Sequence, residues 1–462
     1  MSIPDPTAPL RVVNPATAAT LAELQRHGRA ATDAAVRRAN DALAAWRGLA
    51  PGDRARQLRR FAEVVESHAE ELAVLETRNV GKPVADSRSE LDMVAEVLHF
   101  YAGAVDKHRG HTIPVAGGVD LTWHEPLGVV AAIVPWNFPL VIASWKIGPA
   151  LACGNTVVLK PAELTPLSAL RLAELALEAG IPEGVLQVVV GPGAVVGAAL
   201  VEHPGVAKVS FTGSTEAGRD VMARAAGTVK RVTLELGGKS ANVVFADADL
   251  ERAAASAPAA VFGNAGQDCC ARSRILVERA AYDRFVELLV AATEALAVGD
   301  PEDPGTEMGP LVSAEHRDRV AGFVGPPAEE PVAGRSPVPT GPGWWYPATV
   351  LAPVDPGARV WREEVFGPVV AVTPFDDEQH AVQLANATAY GLSGSVWTRD
   401  GARALRMAKA VQAGVLSVNS NTSVRVSAPF GGTKQSGFGR ELGMEALAGY
   451  SDVKNVFIST DA

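Results

Sequence analysis

Cysteine is scarce in this chain, with three in 462 residues. The count is odd, and Cys269 and Cys270 are adjacent, an arrangement that rarely forms an unstrained bridge. A disulfide framework is therefore not expected, and a reducing cytoplasm is. No His/Cys cluster has metal-ligand spacing, so no metal is expected. No apolar run reaches the ~18 residues of a membrane span, and the start, MSIPDPTAPL, lacks the basic stretch and apolar core of a secretory signal. Positive charge is also short: 42 Lys and Arg face 52 Asp and Glu, a net charge of −10. The basic residues are scattered and none cluster along a line that would track a phosphate backbone, which excludes nucleic acid as the expected partner. The dinucleotide fingerprint G-x-G-x-x-G is missing as well. The nearest stretch, GPGAVVG (191–197), has its last glycine one residue late.

What is present is a chain long enough for two to four lobes of roughly 100–200 residues each. The first hundred residues read as helical. Thr32 is placed to cap a helix whose apolar face is Val36, Ala39, Leu43 and Trp46, and a second helix carries Leu58, Phe61, Val65, Leu72 and Leu75 before Gly81 and Pro83 stop it. Residues 108–126 read as a β-hairpin turning at Gly117-Gly118. Continuous apolar strands follow at 129–134, 155–160, 186–190 and 206–211, with a helix at 167–180. Apolar strands alternating with helices imply a parallel sheet covered on both faces. A second strand–helix region runs from about 234 to 430, within which the Pro/Gly-rich stretch 325–343 reads as a surface loop. VKNVFI, near the C-terminus, reads as an edge strand.

Ligands on parallel sheets bind at the carboxyl ends of strands, and here each strand ends in unusual residues. VPWNFP (134–139) places Asn137 where its amide either donates to a developing oxyanion or caps the next helix. VVLKPAE (157–163) ends in Lys160 and Glu163, either ribose contacts or a solvated strand end. FTGSTEAG (211–218) offers a helix N-terminus suited to a pyrophosphate. RVTLELGG ends in Glu235, either a satisfied edge residue or a general base. Cys269 follows Gly266-Gln267, and Gly266 permits close backbone approach. Cys270 and Cys153 read as small packing residues. EEVFGPVV (363–370) sets Glu364 and Phe366 in a turn, and PFGGTKQSGFGRELG (429–443) is a glycine-rich polar loop.

PWNFP, KPAE, FTGSTEAG, LELGGKSA, GQDCC, EEVFGPV and PFGGTKQSG occur in this order, and together they resemble the aldehyde dehydrogenase superfamily. Glu235 precedes Cys269 by thirty-four residues, as in that family, and the resemblance runs from NPAT (14–17) to VKNVF (453–457). It implies an α/β fold: a variant Rossmann cofactor domain (1–107 and 127–237), a catalytic domain (238–445) and a small β oligomerisation element (108–126 and 446–462). It implies Cys269 as nucleophile, Glu235 as general base, Asn137 as oxyanion donor and Lys146 as a proton relay. Implied cofactor contacts are Val134, Pro135, Trp136, Lys160, Glu163, Gly213, Ser214, Leu236, Glu364 and Phe366. The activity implied is NAD-dependent oxidation of an aldehyde to its acid, through a Cys269 thiohemiacetal and a thioester that water, activated by Glu235, hydrolyses. Glu235 argues against a CoA-acylating relative. Homodimers or homotetramers are implied. Two departures from the family lie far from these motifs: the strand pair usual before NPAT is mostly missing, and 325–343 is short and Pro-rich.

The resemblance lines the aldehyde tunnel with Phe138, Trp145, Val424 and Phe430. Asp268 beside the nucleophile either favours an ω-amino aldehyde or, like Arg425, makes a structural hydrogen bond. Arg425, if it faces the same tunnel, favours a carboxylate tail, and aliphatic or aromatic aldehydes remain open. Glu163 should repel a 2′-phosphate, so NAD+ is expected over NADP+.

Overall fold

The computed structural model describes residues 9–324 and 331–460. Two α/β sheets carry the molecule. The first has six strands in the order Gly437–Phe438, Arg231–Glu235, Val206–Thr212, Val129–Ile133, Thr156–Lys160, Leu186–Val188, parallel except for Gly437–Phe438 at one edge. Its central strand shows why the run 129–133 is apolar throughout. Val130 and Ala132 pack into one core cluster, while Val129, Ala131 and Ile133 pack into another on the opposite face.

The second sheet has seven strands: Val332–Arg335, Thr349–Leu351, Val369–Phe375, Arg274–Glu278, Ala241–Val244, Ser393–Trp397 and Val415–Val418. It is parallel except for Val332–Arg335 and has its own core. A third sheet joins Ser451–Ser459 to the hairpin Thr112–Ile113 and Gly118–Pro126, so the C-terminal strand is an edge, as expected. Among the described residues, no helix is long and apolar enough to cross a membrane.

Several sequence expectations shift. The first helix, Arg29–Arg47, begins before Thr32, whose hydroxyl donates back to the Gly28 carbonyl from inside the first turn. The second helix is two, Pro51–Ser67 and Ala69–Val80. The break falls at His68, whose ring Nδ1 lies 2.9 Å from the Val64 carbonyl that a continuous helix would use. Leu43 and Leu75 are half-buried rather than core. Gly81 ends the helix at φ 91, as its position implied, but Pro83 then caps a further buried helix, Val84–Ala104. The strand at 155–160 starts at Thr156, because the Asn155 side chain is taken up by Gly128 N–H and the Tyr450 carbonyl.

The start of the chain keeps one antiparallel pair, Leu10–Val13 with Thr20–Leu24, around the NPAT turn. Of the expected loop 325–343, residues 325–330 lie outside the described residues, and Val332–Arg335 is an edge strand rather than loop. Gly437–Phe438, read as part of the second unit, hydrogen-bonds to Leu234 and Glu235 of the first sheet. The glycine-rich loop thus returns across the cleft between the two sheets.

Candidate active site

After Ile133 the chain turns through Val134, Pro135, Trp136 and Asn137 into helix Pro139–Ala152, which is buried along its whole length. The Thr165 hydroxyl donates to the Trp136 carbonyl and holds the turn. Asn137 is 4% exposed. Its Nδ2 donates to the Gln267 carbonyl at 2.8 Å, and its own carbonyl accepts from Asn264 Nδ2 at 3.0 Å. One amide proton is therefore committed to the loop that carries the thiol, which fixes the direction of the other.

That loop follows helix Leu250–Phe262. Asn264, Ala265 and Gly266 all have left-handed backbones, at φ 49, 55 and 69. Two non-glycine residues in succession there mark a strained turn that its surroundings enforce. A β-carbon on Gly266 would stand 2.3 Å from the Gly367 carbonyl oxygen, so glycine is required. The turn presents Cys269, half-buried, to a cavity of about 360 Å³. Cys270 is buried in the core, and its N–H donates to Asp268 Oδ1 at 2.8 Å. The Asp268 carboxylate and both sulfurs lie within 4.8 Å of one another. Contact with the Cys270 thiol, burial and the nearby Asp268 and Glu364 carboxylates push the Cys269 thiol well above its usual range. These three consecutive donors fall short of the four ligands of a structural zinc site.

Glu235 ends its strand at 4% exposure, and neither carboxylate oxygen has a hydrogen-bond partner among the described residues. Burial and, second, the Glu441 carboxylate raise its pKa well above the usual carboxylate value, while Lys146 and Arg440 oppose them. The glycine-rich loop makes the room it occupies: a β-carbon on Gly431 would sit 2.8 Å from Glu235 Oε1. Glu235 is not part of the wall of the thiol cavity. Lys146, fully buried, donates to Glu441 Oε1 at 2.6 Å and to Ser210 Oγ at 3.2 Å, behind Glu235 rather than beside Cys269.

The thiol cavity also contains Pro135, Trp136, Asn137, Phe138, Gly213, Ser214, Leu236, Glu364 and Phe366. At Thr212 it meets a second cavity of about 360 Å³ that contains Val134 and Lys160. A dinucleotide fits this pair. Ser214 caps helix Thr215–Ala225 by accepting from Ala217 N–H; Ser214 lines the first cavity and Ala217 the second, so a helix N-terminus suited to a pyrophosphate lies at the junction. Lys160 is nearly buried, and burial draws its pKa down to about 8. At the other end Glu364 Oε1 accepts from Gly238 N–H at 2.8 Å, and burial pushes its pKa up to about 7. Phe366, at φ 57, stands edge-on to Trp136 at 5.3 Å.

Glu163 lies outside both cavities and is ion-paired to Arg26 at 3.0 Å. This weakens the charge argument against a 2′-phosphate, because the repelling carboxylate carries a guanidinium. Trp145 and Phe430 pack 5.1 Å apart in the core cluster, with Val424 and Cys269 against it, and line neither cavity. Arg425 is exposed and is absent from both cavity walls.

Sequence reasoning missed His316 and Arg319 in the thiol cavity and Arg26 behind Glu163. His316 donates from Nε2 to the Phe366 carbonyl at 2.7 Å, and burial lowers its pKa to about 4, so the ring is neutral at ordinary pH. The only local signal for it is Ser313, three residues earlier, which caps helix Ala314–Ala321.

Residues 3–456 match the aldehyde dehydrogenase family. The NADP/NAD-dependent aldehyde dehydrogenase PuuC of Escherichia coli (strain K12) is 43% identical over 459 residues, covering 97% of this chain and 92% of the relative. A betaine aldehyde dehydrogenase of Bacillus subtilis (strain 168) is 42% identical over 452 residues, covering 96% of this chain and 92% of the relative. PnpE of Pseudomonas sp. WBC-3, solved in complex with nicotinamide adenine dinucleotide, superposes at a TM-score of 0.96 with 43% identity, covering 98% of this chain and 95% of that one.

Proposed function

The chain belongs to the aldehyde dehydrogenase family, and from that premise we propose how its own residues divide the work of NAD(P)-dependent aldehyde oxidation. Cys269 is the nucleophile. Its sulfur adds to the aldehyde carbonyl, and Asn137 Nδ2 with the Cys269 backbone N–H stabilises the oxyanion, a contribution of about 3–4 kcal/mol where such donors have been removed. When bound, NAD+ or NADP+ supplies the hydride acceptor, so that aldehyde, water and oxidised cofactor become carboxylate, reduced cofactor and protons. Glu235 then takes a proton from water, which hydrolyses the Cys269 thioester, and the Lys146–Glu441 pair behind it steers the proton outward. Since Glu235 is not in the cavity wall, it turns toward Cys269 for this step.

Lys160 holds the adenosine ribose, with Glu163 reaching it from beyond the cavity wall where it pairs with Arg26; Ser214 and Gly213 hold the pyrophosphate and Glu364 the nicotinamide ribose, with Val134, Pro135, Trp136, Leu236 and Phe366 packed along the cofactor. Phe138, Trp145, Val424 and Phe430 form the apolar backing of the aldehyde site. The carrying observation is one cavity that joins Cys269, Asn137 and Glu364, and that meets the Lys160 cavity at Thr212. In this reading residues 238–445 form the catalytic domain and 1–107 with 127–237 the cofactor domain. The protein is a cytoplasmic homodimer or homotetramer assembled through 108–126 and 446–462, where thiols stay reduced.

The test is NADH formation from hexanal, benzaldehyde, 4-aminobutanal and succinic semialdehyde. Turnover of at least one of them supports the reading. Acyl-CoA formation in place of free acid, with CoA added, would contradict it.

A further inference from the structure

Arg272 lies on the loop that presents the thiol and is 1% exposed. All five of its guanidinium N–H groups have an acceptor. Nε donates to Ser395 Oγ at 2.7 Å. Nη1 donates to the Cys270 carbonyl at 2.5 Å and to Ser393 Oγ at 2.6 Å. Nη2 donates to the Asn421 carbonyl at 3.4 Å and to Ser423 Oγ at 2.6 Å. One planar group thus joins the thiol loop, the strand Ser393–Trp397 and the segment 421–423. Val424, the next residue, packs with Cys269 against the same core cluster. Arg272 is absent from the wall of the thiol cavity, so it acts on the site through the loop and not on the substrate.

Every one of these acceptors is neutral, a carbonyl or a hydroxyl. Burial works against the cation, and the acidic groups that offset it are Cys270, Asp268 and Cys269, in that order. An arginine stays protonated at ordinary pH, so the thiol loop carries a fixed positive charge. The attraction is mutual: a cation favoured by a thiolate favours that thiolate. The other groups around the sulfur oppose ionisation. Cys270 and Asp268 on the same loop, and Glu364 across the cavity, hold the Cys269 thiol high. Elsewhere in the cavity wall, Glu216 is exposed and His316 is neutral. Arg319, the other cation there, donates to the Glu364 and Val365 carbonyls.

We propose that Arg272 is a positioning residue that activates the nucleophile by charge: its buried guanidinium favours the Cys269 thiolate, while its five bonds hold the thiol loop against the segment 421–423. The proposal rests on Cys269 being the nucleophile of the dehydrogenase described above. The thiolate, not the thiol, adds to a carbonyl, so the charge on Arg272 sets how much of the enzyme is ready to react. Asp268 works in the opposite sense from the same loop. Its Oδ1 accepts from Cys270 N–H, a bond that an asparagine oxygen also makes without the charge. The two side chains therefore form an opposed pair whose members can be removed one at a time.

The test follows alkylation of Cys269 by iodoacetamide between about pH 6 and about pH 9.5, with the alkylated cysteine identified by mass spectrometry and hexanal oxidation assayed alongside. The parent is compared with Arg272→Gln, which removes the charge, Arg272→Lys, which keeps the charge but not the fork, and Asp268→Asn. A thiol shift of about one unit displaces the pH–rate profile by about half a unit, because a more basic thiolate is also a better nucleophile. Arg272→Gln should displace the profile to alkaline pH by at least that much, Arg272→Lys by less than half as much, and Asp268→Asn should displace it to acid pH. A profile in Arg272→Gln that coincides with the parent's, or one displaced equally in Arg272→Lys, overturns the proposal. If the arginine variants fail to fold, an unmoved profile in Asp268→Asn overturns it, since fixed charge on this loop then does not reach the sulfur. These outcomes leave the dehydrogenase reading standing so long as alkylation of Cys269 abolishes hexanal oxidation. Oxidation that survives complete alkylation of Cys269 overturns both.

Discussion

Adjacent Cys269 and Cys270 differ in what they face. Cys269 meets the cavity and Cys270 packs into the core. Cys269→Ser should therefore lower aldehyde oxidation by about ten-thousandfold or more, whereas Cys270→Ser should stay within about threefold of the parent; steady-state NADH formation separates them. Asn137→Ala should cost about 10²–10³-fold in kcat with a smaller change in KM, because the oxyanion exists only after addition. Arg26 sets a third expectation. It neutralises Glu163, so Arg26→Ala should sharpen the preference for NAD+ over NADP+, read as the ratio of kcat/KM values. An unchanged ratio would remove Arg26 from cofactor choice. Cys269, Asn137 and Glu364 were legible because each sits in a short motif at a strand end or turn. Arg26, His316 and Arg319 were not singled out, since tertiary folding brings them in from elements whose local sequence is ordinary.

At the scale of elements, the strand Arg231–Glu235 delivers Glu235, helix Pro139–Ala152 delivers Lys146, and the loop 429–443 brings Glu441 and the space at Gly431. Glu235 acts as a base only when ionised, and its raised pKa moves the rising limb of the kcat–pH profile above the ordinary carboxylate range. Lys146 opposes that rise. Lys146→Met should therefore shift the limb further to alkaline pH, and a limb that stays in place would detach Lys146 from the base. The buried parallel strands were readable as unbroken apolar runs. The break at His68 was not, because helical periodicity continues across it while a side chain takes the Val64 carbonyl. Val332–Arg335 hid among prolines and glycines, and the two-residue strand Gly437–Phe438 is fixed by its partner strand rather than by its own composition.

Across the whole molecule, the third sheet leaves Trp123, Val453, Phe457 and Ile458 exposed at 48%, 63%, 52% and 51%. In the assembly proposed above, these apolar side chains, on a sheet with open edges, form the interface. Phe457→Glu should shift light scattering toward the monomer while leaving the described core intact, and an unchanged mass would place assembly elsewhere. The two-sheet architecture was readable from the order of strands and helices. The return of the loop 429–443 to the first sheet, which closes the site behind Glu235, depends on contacts distant in sequence. The central claim is a thioester on Cys269 that Glu235 clears. Incubating Glu235→Gln with hexanal and NAD+ and mapping the protein by mass spectrometry tests it most directly. The account predicts one hexanoyl group on the peptide spanning 264–274, at Cys269. A hexanoyl group on Cys270, or NADH formation with no acylated cysteine while turnover stays at the parent rate, would contradict it.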